Sequence, residues 1–173
     1  MMGKILLDEN KEFQFDFSQT SYVWQMDELT SNLILSDVDF ITETDKEILF
    51  IEYKNANIKG AVNPDGMFSK IKHQDFYMKI ARKYYDSLLL FWTRKGSISE
   101  WSIAYVLLIE HPMIDKKLRK QLKLKIGNQL PLKLNDDHIL KKYLSRFEVF
   151  NLEEWQENFP EINITPVAMN ENQ

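Results

Sequence analysis

The segment spanning residues 36–55, SDVDFITETDKEILFIEYKN, constrains the fold of this chain more than any other part of the sequence. It contains two apolar runs, Val38–Thr42 and Ile48–Tyr53, which are separated by the polar stretch Glu43–Lys46. Short runs rich in Ile, Phe and Val on either side of a polar turn are typical of paired strands. The sequence therefore predicts a β-hairpin whose two strands both carry charged side chains.

The side-chain alternation of a strand decides which of these charges can meet. Alternate side chains share a face, so Glu52 and Lys54 lie on one side of the second strand. A two-residue turn at 45–46 would place Asp39 directly opposite Glu52, with Cβ atoms about 4.5–5.5 Å apart. The same register places Asp37 opposite Lys54, whereas a turn one residue longer or shorter would put the charges on different faces.

Two interpretations of this charge cluster are open. Two adjacent carboxylates repel each other unless a cation lies between them, and a hard divalent ion such as Mg²⁺ prefers oxygen ligands of this kind. The alternative is a structural ion pair at the end of a sheet, either Glu52–Lys54 or Asp37–Lys54, because charged strings of this type also occur without any function.

Asp39, followed by Glu52-Tyr53-Lys54 in an apolar strand, resembles the motif of the PD-(D/E)xK nuclease superfamily, which has a restriction-endonuclease-like fold. Several branches of that superfamily carry a Gln on the helix after the catalytic strand, and Gln74 occupies the matching place. The resemblance extends over roughly residues 30–93, with Val38 where the motif has proline.

This resemblance implies a site and a chemistry. Asp39 and Glu52, with the backbone carbonyl of Tyr53, would bind one or two Mg²⁺ or Mn²⁺ ions. Lys54 would orient the attacking water or bind the scissile phosphate, and Gln74 would complete the catalytic set. The implied function is a metal-dependent nuclease that hydrolyses phosphodiester bonds of DNA.

Two further assignments remain open at this point. For the upstream acidic ligand found in many members, Glu28 is the first candidate and Glu12 the second. The alternative function is a non-catalytic module for nucleic-acid binding or protein interaction that retains the nuclease-like fold, because a fold does not fix a function.

The remaining sequence predicts an α/β domain with a mixed central sheet flanked by helices, a restriction-endonuclease-like core. One domain over residues 1–160 and a flexible tail over 161–173 are expected. Period-2 and apolar patterns predict further strands at 11–17, Ser87–Trp92, Ala104–Ile109 and Arg146–Phe150. Helical spacing predicts helices at Met67–Asp86, 112–127 and Leu152–Phe159. The inward face of the first of these helices is predicted to consist of Met67, Ile71, Gln74, Met78, Ala81 and Tyr85.

The charge distribution points to a basic surface in an acidic chain. The net charge is −4, yet residues 112–146 hold 10 Lys and Arg against 3 Asp and Glu. On the predicted helix 112–127, basic side chains lie away from the apolar stripe and are candidates for phosphate contacts, with a solvated face as the alternative. The candidates are Lys116, Arg119, Lys120 and Lys123.

The expected partner is therefore a nucleic acid, in the first place DNA, with a homodimer left open. No membrane is expected, because the sequence has no apolar run of about 18 residues. The chain contains no cysteine and begins without a signal-peptide pattern, so a cytoplasmic location is expected.

Overall fold

The computed structural model describes residues 4–26, 33–55, 65–95, 101–139 and 141–167. These residues form two sheets and four α-helices. The strands are β1 Ile5–Leu7, β2 Phe13–Asp16, β3 Tyr22–Gln25, β4 Phe40–Glu43, β5 Ile48–Asn55, β6 Ile103–Glu110, β7 Leu144–Phe150 and β8 Asn163–Pro166. The helices are α1 Gly66–Lys70, α2 Gln74–Lys95, α3 Lys116–Gly127 and α4 Leu152–Asn158, with a short 3-10 helix at Pro131–Lys133.

The main sheet has five strands in the order β3-β4-β5-β6-β7. The pairs β3–β4 and β4–β5 are antiparallel, whereas β5–β6 and β6–β7 are parallel. The predicted mixed α/β sheet is thus confirmed. A second sheet of three antiparallel strands has the order β1-β2-β8.

A separate hydrophobic core covers each face of the main sheet. Successive side chains of β5 and β6 point to opposite faces, and those on both faces are apolar. On one side Phe50 and Tyr105 pack with α2 and α3 in what we call the helix-side core. On the other side Ile51 and Val106 pack with the small sheet and α4 in the strand-side core, around the fully buried Trp155. Strands buried on both faces must be apolar throughout, as the two central strands largely are.

The hairpin has the predicted register. Phe40 pairs with Ile51 and Glu43 with Ile48. The turn is closed by the Thr44 N–H, which donates to the Glu47 carbonyl at 3.0 Å. The two central turn residues are therefore 45–46, as the sequence predicted, and the even-numbered side chains of β5 face the helix-side core.

The region after the hairpin differs from the prediction in two ways. The predicted strand Ser87–Trp92 is wrong, because these residues form the C-terminal part of α2. The predicted single helix Met67–Asp86 is interrupted between α1 and α2, so its helical phase changes at residues 71–73. A run of apolar residues fits a buried helix as well as a strand, and periodicity alone cannot separate the two.

The chain after β6 follows the prediction more closely. α3 begins later than predicted, with Asp115 as its N-cap, and the Asp115 carboxylate accepts the Leu118 N–H at 2.7 Å. Asn151 and Glu154 form a capping box at the start of α4. Residues 163–166, which fall in the tail expected to be flexible, form β8 and pair with β2.

Candidate functional site

The predicted acidic pair meets at the end of the hairpin. Asp39 directly precedes β4, and the pairing of Phe40 with Ile51 places it opposite Glu52. The Asp39 carboxylate accepts a hydrogen bond from the backbone N–H of Tyr53 at 2.6 Å. Because β4 begins only at residue 40, its backbone offers no carbonyl to this N–H, and the Asp39 side chain takes that place. This hydrogen bond fixes the Asp39 side chain against the neighbouring strand.

Glu52 is the most deeply buried charge of the site, with a fully inaccessible side chain. Two ammonium groups neutralise it. Lys54 Nζ lies 2.6 Å from Glu52 Oε1, and Lys83 Nζ donates to Glu52 Oε2 at 2.8 Å. An uncompensated carboxylate at this depth would be strongly disfavoured, so the two lysines explain how Glu52 is tolerated inside the sheet.

The two oxygens of Glu52 nevertheless differ. Oε2 receives a well-formed hydrogen bond from Lys83. Oε1 forms an ion pair with Lys54, whose side chain is 27% exposed against 13% for Lys83. The two oxygens are thus held by lysines of different exposure, and the lysine at Oε1 is the one that solvent can reach.

Asp39 is not neutralised in the same way. Within the described part of the chain, no Lys, Arg or His nitrogen lies within ion-pair distance of its carboxylate. Burial, and next the charge of Glu52, raise the pKa of Asp39 to about 7, although Lys54, Lys83 and the Tyr53 N–H act against the rise. Burial alone would lower the pKa of Lys54, but Glu52 and Asp39 raise it above its ordinary value.

An open pocket of about 110 Å³ lies at this end of the sheet. Asp39 and Lys54 line it from the hairpin, and Asp8, Glu9 and Asn10 line it from the turn between β1 and β2. The Asp8 carboxylate shapes that turn by accepting the N–H groups of residues 10, 12 and 13. A small polar ligand can therefore reach Asp39 and Lys54 from solvent, while Glu52 lies beneath them.

The donor set fits a hard divalent cation. Two carboxylates on one face, one of them with a raised pKa and no counter-ion within ion-pair distance in the described part of the chain, are groups that such a cation would bind. Mg²⁺ commonly uses only one or two protein carboxylates and keeps several waters. Among the described residues no group of three or more His, Asp or Glu side chains could hold a metal.

The other predicted ligands are placed as follows. Glu12 accepts a hydrogen bond from Asn55 Nδ2 at 2.6 Å, at the end of β5 but outside the Asp39–Glu52 pair. Glu28 lies outside the described residues. The side chain of Tyr53 is buried in the strand-side core, and its contact with Asp39 is made through the backbone N–H. The role predicted for its carbonyl stays a prediction.

Gln74 is not where the sequence pattern predicts it. It is the first residue of α2 and is exposed, and it lines a polar pocket with Lys72, Tyr77 and Lys125. The predicted inward face is wrong at Gln74, Met78 and Tyr85, which are exposed, whereas Ile71 and Ala81 are buried as predicted. The face that α2 buries consists of Tyr77, Ile80, Ala81, Tyr84, Ser87, Leu88 and Phe91.

Sequence reasoning misses Lys83. Its side chain is 13% exposed, and its position three residues after Ile80 and four before Ser87 places it beside the buried face of α2. A lysine at that position is a detectable signal. The sequence reveals this signal only if the buried face of the helix is assigned correctly, and the predicted face is assigned incorrectly.

The predicted basic surface on α3 is partly present. Lys116, Lys120 and Lys123 are exposed, although Lys123 forms an ion pair with Glu148. Arg119 is 8% exposed, so its predicted place on the solvent side is wrong. It donates to Glu154 at 2.9 Å and to a backbone carbonyl at 2.8 Å, and both contacts are structural.

Comparison with protein-family models, with curated proteins and with solved structures gives no match to this chain. Within the part of the chain that the structure describes, no helix is both long enough and apolar enough to cross a bilayer.

Proposed function

We propose that this chain is a metal-dependent nuclease of the PD-(D/E)xK type, with a restriction-endonuclease-like core, and that it hydrolyses phosphodiester bonds of DNA. The observation that carries the proposal is the Asp39–Glu52 pair. Its two carboxylates lie opposite each other on one face, and the pKa of Asp39 is raised to about 7 by burial and by Glu52. Asp39 has no counter-ion within ion-pair distance among the described residues, so a cation held between the two carboxylates would relieve their repulsion.

The order of the elements supports the same proposal. An antiparallel hairpin that carries the acidic pair is followed by the helix α2 and then by β6, which pairs in parallel with the second hairpin strand. Asp39 and Lys54 lie where β4 begins and β5 ends and line an open pocket, which a phosphate group could approach.

Each residue would have a distinct role. Asp39 and Glu52 Oε1 would hold one Mg²⁺ or Mn²⁺ ion, which when bound lowers the pKa of a water and offsets charge on the phosphate. Lys54 Nζ, partly exposed in the pocket, would donate to a phosphate oxygen or to the attacking water. Lys116, Lys120 and Lys123 would contact the phosphate backbone outside the site.

A specific observation favours a second candidate, a binding module without turnover. Both oxygens of Glu52 already lie within ion-pair distance of a lysine, which is the arrangement expected of a structural cluster. In that case Lys54 would bind a phosphate group electrostatically and no bond would be broken.

A cleavage assay separates the two candidates. Single-stranded, duplex and branched DNA are incubated with the protein in Mg²⁺, in Mn²⁺ and in a chelator, with single-stranded RNA in parallel. Metal-dependent cleavage of DNA that is lost in Glu52→Gln but retained in Glu148→Gln supports the nuclease. Glu148 is a suitable control because it is a strand carboxylate paired with a lysine in another part of the sheet. Binding of DNA without cleavage under all conditions would support the module.

A further inference from the structure

Lys83 contacts Glu52 from α2, and side chains of α2 hydrogen-bond the backbone of the segment that precedes β4. One turn further along α2, the Ser87 hydroxyl accepts the Val38 N–H at 2.9 Å and the Asp86 carboxylate accepts the Ser36 N–H at 2.8 Å. Both bonds join α2 to the segment that leads into Asp39. The Lys83 ammonium is therefore held in a defined place relative to both carboxylates.

The two lysines that contact Glu52 differ in exposure and in the carboxylate oxygen that each one contacts. Lys83, the less exposed of the two, donates a hydrogen bond to Oε2. Lys54 lies 2.6 Å from Oε1, and its side chain is 27% exposed and lines the pocket. A ligand entering from the pocket therefore reaches Lys54 and Oε1 before it reaches Lys83 and Oε2.

We propose that Lys83 is a positioning residue that keeps Oε2 of Glu52 occupied, so that the carboxylate offers only Oε1 to a divalent cation. This inference rests on the proposed function, because it concerns the same metal site. Because the Lys83 ammonium at Oε2 offsets part of the negative charge of Glu52, the carboxylate neutralises less of the cation's charge, and more of that charge remains to act on water and phosphate. The ammonium of Lys83 also repels the cation at close range, which weakens metal binding.

The inference predicts two effects of opposite sign in Lys83→Met. Metal binding should become tighter by about fivefold or more, because a nearby positive charge is removed and Oε2 becomes available. The rate of cleavage at saturating metal should fall by about tenfold, because the cation is then more fully neutralised. Lys83→Arg keeps the charge and a donor, so both values should return to within about threefold of the wild type. A merely structural role for Lys83 would weaken metal binding and slow cleavage together.

The test measures Mn²⁺ binding to the free protein by calorimetry, and single-turnover DNA cleavage at saturating Mn²⁺. The variants are Lys83→Met, Lys83→Arg and the matched control Lys79→Met, which removes an exposed lysine one turn earlier in α2. Thermal melting verifies that each variant folds. If Lys83→Met does not fold, Lys83→Leu, which also removes both the charge and the donor, replaces it under the same criteria.

Tighter Mn²⁺ binding with slower cleavage in Lys83→Met, absent from Lys79→Met, supports the inference. Unchanged or weaker binding in Lys83→Met overturns it while leaving the nuclease proposal intact, provided that the wild type binds Mn²⁺ and cleaves. A wild-type protein that binds no Mn²⁺ and cleaves nothing overturns the proposed function, and this inference with it.

Discussion

The charge state of Asp39 should make the stability of the fold depend on pH in a way that Asp39→Asn removes. The pKa of Asp39 rises from 3.8 to about 7 on folding, so the folded protein binds this proton more tightly than the unfolded chain. Stability must then fall as pH rises from about 4 to about 7, where the folded carboxyl finally ionises. The amide introduced by Asp39→Asn would resemble the protonated acid at every pH, since it keeps an oxygen that can accept the Tyr53 N–H.

The size of the effect follows from the same values. At 1.36 kcal/mol for each pKa unit, the shift of Asp39 corresponds to an upper bound of about 4 kcal/mol. Asp39 is only partly buried and borders an open pocket, so solvent screens part of the interaction. We expect Asp39→Asn to be about 2 kcal/mol more stable than the wild type at pH 8, and nearly equal to it at about pH 3.5, below the pKa of 3.8 of the unfolded carboxyl.

Urea denaturation of both proteins at the two pH values measures this difference directly, because all other titrating groups are shared. Asp137→Asn, at an exposed carboxylate, serves as the control. Saturating Mg²⁺ at pH 8 should stabilise the wild type but not Asp39→Asn, because a ligand that binds only the folded state shifts stability by mass action. A free-energy difference between Asp39→Asn and the wild type that is the same at both pH values would refute the reasoning.

Three further outcomes are expected. Lys54→Ala should reduce cleavage at saturating DNA by at least about a hundredfold while changing DNA affinity little, which single-turnover rates and binding isotherms test. Replacing Lys116, Lys120 and Lys123 together by Ala should weaken DNA binding and lower the salt slope by up to about 0.9 for each phosphate that is no longer neutralised. An unchanged slope would mean that this surface does not contact DNA. Arg119→Ala should instead destabilise the fold by about 1–3 kcal/mol in urea melts, because it leaves a carboxylate and a backbone carbonyl without their donor.

The hairpin and its register could be predicted because two local rules agree there. Period-2 alternation fixes which side chains of β4 and β5 share a face, and the short turn at 45–46 fixes their alignment. Asp39 and Glu52 are therefore placed by local sequence alone. No interaction with a distant part of the chain is needed to bring them together.

The helical part of the site could not be predicted with the same reliability. The sequence pattern takes its phase from Met67, but the chain breaks between α1 and α2, so the true inward face begins at Tyr77. With the helix in this phase, Gln74 lies on the exposed side and Lys83 lies beside the buried face, where the sequence pattern does not predict it. Only packing against the main sheet decides whether the apolar run 87–92 forms a strand or a buried helix.

The pairing of β8 with β2 has a consequence for how the protein is made. Gln14 and Thr165, which join these strands through their side chains, are 151 positions apart in the chain. The helix-side core can assemble once β7 has left the ribosome, whereas the strand-side core must wait for β8 and for Ile162. Contacts between such remote segments form slowly. During synthesis, the apolar face around Ile51 and Val106 therefore stays open until the last strand arrives, and this is the interval in which the nascent chain most needs protection from aggregation.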